Sequence, residues 1–135
     1  MLGLKHVIPQ LLQKAYNSVN QMIEVFSPNH TRTFCYISDA VNMVYNLMKN
    51  NEAVGKVVNL GNETPEISIK KLAEMILKVT QKKLYLKEME DTEGSPIRRA
   101  PSMKECYKLT KFKPKISLEE GLNLTFEWYK KNVFN

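Results

Sequence analysis

A chain of 135 residues that is 43% hydrophobic can bury roughly two thirds of its unfolded surface in one core and is too short for two, so residues 1–135 are expected to form a single domain. Its 20 basic and 14 acidic residues leave +6, which favours an anionic ligand, but the lysines are scattered and no aromatic-interleaved basic stripe suggests nucleic acid. Two cysteines without Cys-x-x-Cys spacing exclude a disulfide framework and a zinc site, and no apolar run reaches the ~18 residues of a membrane span, so the expectation is a cytoplasmic protein with no membrane partner.

In chain order, Val7, Ile8, Leu11, Leu12, Ala15 and Val19 recur at helical spacing, and Pro9 is tolerable only in a first turn, so a helix begins near His6 to Pro9. Ile23 to Phe26 reads as a short strand, broken by the turn residues Ser27-Pro28-Asn29-His30. The next segment, TRTFCYISD, sets a lone arginine, Arg32, in an apolar extended run carried by Phe34, Tyr36 and Ile37. It ends at Ser38, the expected N-cap of a helix with Val41, Val44, Tyr45 and Met48 on one face. Asn50-Asn51 ends that helix, and Lys56 to Leu60 reads as a buried strand followed by a ligand-facing turn at Gly61-Asn62.

Ser68 is the expected cap of a helix that buries Ile69, Leu72, Ala73, Ile76 and Leu77 and stops near Thr80. A strand at Leu84 to Leu86 leads into the longest loop, Glu88 to Arg99, a functional candidate that ends in two arginines. Ser102-x-x-Glu105 and Ser117-x-x-Glu120 both fit the capping box, so two C-terminal helices follow, the second with Leu118, Leu122, Phe126, Tyr129 and Val133 on one face.

Five segments in this order, HVIPQLLQKA, TRTFCYISDAV, VVNLGN, SPIRRAPSMKE and KFKPKISLEEGLNLTFEWY, resemble the C-terminal half of the extended short-chain dehydrogenases/reductases that act on nucleotide sugars. The UDP-glucuronate decarboxylases and dTDP-glucose 4,6-dehydratases look nearest, with the 4-epimerases further off. The resemblance implies an α/β fold: the helix-rich, substrate-binding portion of a Rossmann-type enzyme, with short strands and without the cofactor-binding Rossmann core. It implies that Arg32 and Arg99 contact the diphosphate of a UDP- or dTDP-sugar, with Arg98 beside the second. It further implies that Asn59 and His6 lie at the nucleotide and that Phe26 stands against the base. A guanidinium suits such a ligand, because its planar fork of donors matches paired phosphate oxygens better than an ammonium does. The competing reading of either arginine is a surface ion pair.

Two features of the family are absent from the chain. No Gly-x-Gly-x-x-Gly exists among its five glycines, and the serine or threonine, tyrosine and lysine that carry the chemistry are not found. Tyr45 and Lys49 have the Tyr-x-x-x-Lys spacing but lie downstream of TRTF, on the apolar stripe, so core packing is expected of Tyr45. The turn before Arg32 lacks the family's glycines, and Ser102 replaces an aspartate. The expectation is therefore a truncated or split enzyme: no cofactor bound by these residues, NAD in the intact enzyme, and either a homo-oligomer or a separate NAD-binding domain as partner. A non-enzymatic interaction module, a degenerate fragment that kept the fold and lost the ligand, is the alternative.

Overall fold

The computed structural model describes residues 3–134. Its elements run α1 (Val7–Asn17), β1 (Met22–Val25), β2 (Thr31–Arg32), α2 (Ile37–Met48), a 3-10 turn at Asn51–Ala53, β3 (Ile67–Ser68), α3 (Ile69–Val79), β4 (Tyr85–Glu88), β5 (Arg98–Arg99), α4 (Lys104–Thr110) and α5 (Leu118–Asn132). β1 and β4 pair in parallel, Met22 opposite Tyr85 through Val25 opposite Glu88. A second sheet has the order β3-β2-β5, antiparallel on one side of β2 and parallel on the other.

The main core lies between α1, β1, α3 and α5. Leu12, Ala15, Leu72, Ala73 and Ile76 are wholly buried, with Val25 and Leu122 almost so. Each fully buried leucine or isoleucine contributes about 1.5–3 kcal/mol through its removal from water. Gly121 lets α5 approach Tyr36 closely: a Cβ there would lie 3.3 Å from the Tyr36 ring. A smaller cluster joins Met43 of α2 to Met103 at the start of α4 and Cys106 within it. Asp39, buried in the first turn of α2, ties that helix to the segment before α5: its Oδ2 accepts the Lys115 and Ile116 amides at 3.0 and 2.9 Å.

The expected N-caps of α3 and α5 are present: Ser68 Oγ accepts the Lys71 amide and Ser117 Oγ the Glu120 amide. Five expectations are corrected. Val19 lies beyond α1 and is exposed, because the helix ends at Asn17 and the chain turns toward β1. The N-cap of α2 is Tyr36, with no side-chain cap bond, so Ser38 falls inside the first turn. Tyr45, expected to pack in the core, is 53% exposed: α2 turns Asp39 and Met43 to the interior and leaves the stripe Val41, Val44, Tyr45, Met48 outward. Residues 56–60 form no strand among the described residues and Val57 is fully exposed, although Val58 packs on the Met43 cluster. Ser102 does not cap α4; its N-cap is Met103, whose amide goes to Glu63 Oε1 at 2.6 Å.

Candidate functional site

The parallel register of β2 and β5 sets Thr31 opposite Arg98 and Arg32 opposite Arg99. Because side chains alternate along a strand, Arg32 and Arg99 share one face and Thr31 and Arg98 the other. The two arginines expected to contact a diphosphate therefore stand side by side. On the other face Glu66 gathers its neighbours. Its carboxylate accepts the Thr31 hydroxyl at 2.5 Å and takes Arg98 in a forked contact, Nε at 2.9 and 3.1 Å and Nη2 at 2.7 Å. Hydrogen bonds from Arg98 and Thr31 hold the Glu66 carboxyl below its usual range, and Glu66 in turn raises Arg98.

Arg32 is half-buried and held by the loop between β4 and β5. Its Nη1 donates to the carbonyls of Thr31 at 2.7 Å and Ile97 at 3.3 Å, and its Nη2 to Ser95 Oγ at 3.0 Å. Partial burial, followed by the charge of Arg99, lowers its pKa from the ordinary guanidinium value. Among the described residues no salt bridge engages Arg32 or Arg99. Two adjacent cations whose mutual repulsion is uncompensated by a carboxylate form an electrostatic setting that an anion relieves.

Both arginines open into a cleft of about 1090 Å³, and the other residues expected at a nucleotide, His6, Phe26, Asn59 and Arg98, line it too. Each arrives by a different route. His6 is the exposed N-cap residue of α1, while Phe26 follows β1 and is 45% exposed. Asn59 lies on the extended stretch beside α4, with its Nδ2 donating to the Ser102 carbonyl at 3.2 Å. Arg98 also lines the cleft, but its guanidinium is committed to Glu66.

The turn that delivers Arg32 manages without glycine. Ser27 takes a left-handed backbone, φ 51°, and its Oγ accepts the Thr92 amide at 2.9 Å, so the side chain that makes the turn costly also ties it to the facing loop. Sequence reasoning missed Lys14 and Ser95. Lys14 reaches from α1 to the Glu24 carbonyl at 3.0 Å and stands 5.2 Å from the centre of the Phe26 ring. Its position outside the buried stripe of α1 was the available signal, but that signal is shared by every solvated lysine. Ser95 lay in a loop already marked as functional, with nothing local to say that it would meet Arg32.

No family model matches the chain. UDP-glucuronic acid decarboxylase 1 of Danio rerio is 32% identical over 107 residues, covering 79% of this chain and 25% of its own length. The epimerase Mth375 of Methanothermobacter thermautotrophicus superposes with a TM-score of 0.85 at 25% identity, over 94% of this chain and 38% of that one. This chain has the C-terminal portion of the extended short-chain dehydrogenase/reductase fold, and UDP-glucuronic acid decarboxylases are its homologues. The family's fold extends to UDP-glucuronic acid 4-epimerase of Bacillus cereus, solved with UDP-glucuronic acid and NAD, at a TM-score of 0.83 and 20% identity over 95% of this chain and 40% of that one. The chain spans about a quarter of the length of the curated relative it matches.

Proposed function

We propose that this chain binds a nucleotide-diphosphate sugar, UDP- or dTDP-linked, as the substrate-binding portion of an NAD-dependent epimerase, dehydratase or decarboxylase. The observation that carries this reading is the register pairing of Arg32 with Arg99 in the lining of the cleft, two guanidinia that no carboxylate among the described residues pairs with. A diphosphate brings about two negative charges, and each charge-assisted hydrogen bond to it contributes on the order of 1.5–3 kcal/mol. Phe26 and Lys14 supply an aromatic face and a cation farther along the same cleft, suited to a base and its sugar. Homology to proteins named for UDP-glucuronic acid supports the ligand class.

The residues described here do not fit NAD. None of the five glycines opens the strand-to-helix turn that cradles a dinucleotide, and Gly121 lies within α5. The role assigned to this chain is grip and orientation, and the nicotinamide chemistry belongs to a partner surface. The outward face of α2, with Val41, Tyr45 and Met48, together with Val57, is the side on which we place an NAD-binding domain.

Isothermal titration with UDP and dTDP tests the reading. Binding that falls roughly 10- to 100-fold in Arg32→Ala is the expected result. No binding of either nucleotide, or an unchanged affinity in the variant, overturns it and leaves an interaction module as the function.

A further inference from the structure

Behind Arg32 lies a buried imidazole that the ligand reading does not use. His30 is 3% exposed and sits at the end of the turn before β2, fixed through its backbone by the Ser27 carbonyl and the Ile69 amide. Its ring faces the loop of residues 89–97 at two points, Nε2 lying 3.4 Å from Asp91 Oδ2 and Nδ1 3.4 Å from Ser95 Oγ. Ser95 Oγ is also the acceptor for Arg32 Nη2 at 3.0 Å.

The donor and acceptor inventory gives these contacts a direction. An ionised carboxylate only accepts, so the Asp91 oxygen at 3.4 Å favours the tautomer that carries its proton on Nε2. In the neutral ring Nδ1 is then a bare acceptor, and the single hydroxyl proton of Ser95 goes to it. The lone pairs of Ser95 are left to receive Arg32. With Nδ1 bare, three groups line up in one sense, Arg32 donating to Ser95 and Ser95 to His30, and the Asp91 carboxylate lies beyond them at 3.4 Å from Nε2. Chains of this kind polarise one another and hold their members in one geometry. The other Arg32 acceptors are backbone carbonyls that come with the β2–β5 pairing, so Ser95 is the side chain that sets the orientation of Nη2.

We infer that His30 is a positioning residue: through Ser95 it orients the Arg32 guanidinium, and through Asp91 it docks the loop of residues 89–97 beside the cleft. The inference rests on the proposed function only where it concerns ligand affinity; the relay itself is a property of the free chain.

The test has two arms. In the free protein at mildly alkaline pH, where an ordinary imidazole is neutral, nitrogen NMR is expected to show His30 with its proton on Nε2 and Nδ1 bare. Ser95→Ala should move the Arg32 side-chain resonances, and Ser95→Thr, which keeps the hydroxyl, should restore them. A proton on Nδ1, or Arg32 resonances that ignore Ser95→Ala, overturns the relay whether or not any nucleotide binds. In the second arm, UDP affinity should fall on the order of fivefold in Ser95→Ala and be unaffected by the same change in an Arg32→Ala background. An equal loss in both backgrounds also overturns the relay, because it would show Ser95 acting independently of Arg32. Wild-type protein that fails to bind UDP defeats the ligand reading alone and leaves the NMR arm to decide the relay. His30→Ala would empty a buried site and confound folding with the relay, so the Ser95 variants, at a half-buried position, carry both arms.

Discussion

Arg98 and Arg99 are neighbours in sequence with opposite assignments. Alternation along β5 gives Arg98 to Glu66 and Thr31, and gives Arg99 to the face it shares with Arg32. Arg99→Ala is expected to weaken UDP binding about tenfold, whereas Arg98→Ala, which breaks an exposed ion pair, should change it less than about twofold; titration of both variants checks the contrast. Glu66 adds a pH prediction. Its folded-state pKa is depressed, first by the hydrogen bond from Arg98 and then by that from Thr31. Its contribution to stability is therefore present above the ordinary carboxylate range and is lost as pH falls through the lowered folded value. Acid unfolding of wild type should include this component and that of Glu66→Gln should lack it; identical acid limbs would remove Glu66 from the account.

At the scale of elements, local chemistry was legible where a partner lay within a turn or two. Ser68 and Ser117 cap α3 and α5 because the amides they accept are three residues away in the chain. The same pattern at Ser102 misled, since Glu63, forty residues upstream, reaches the α4 N-terminus first. Glu63→Ala should cost about 1 kcal/mol in urea unfolding while Ser102→Ala stays near neutral; the reverse ranking would restore the local capping box. The site shows the same division. Arg32, Arg99, Phe26, Asn59 and His6 could be placed at one cleft from the sequence resemblance, and the structure gathers them there. That Arg32 and Arg99 are side by side required the β2–β5 register, and that the Arg98 guanidinium is already paired required Glu66, a residue without a distinctive local pattern.

The whole molecule has an inside and an unfinished side. Periodicity identified the apolar stripe of α2 but could not say what covers it: the core of this chain takes Asp39 and Met43, and Val41, Tyr45 and Met48 remain outward. Residues 56–60 tell the same story, with β-branched strand chemistry but, among the described residues, neither a ladder partner nor cover for Val57. An apolar helix face beside an unpaired extended segment is a surface that associates, since burying each such side chain contributes about 1.5–3 kcal/mol and open backbone groups recruit another strand. The structural neighbours are more than twice as long as the matched region, and this face is the one proposed above to receive an NAD-binding domain. Without that partner the chain is expected to self-associate with rising concentration. A Val41→Lys, Val57→Asp variant, changed only at outward positions, should sediment as a monomer at concentrations where wild type does not, with an unchanged thermal midpoint. If wild type and variant sediment alike as monomers, the outward face is not an association surface and the placement of the NAD-binding domain against it loses its physical support.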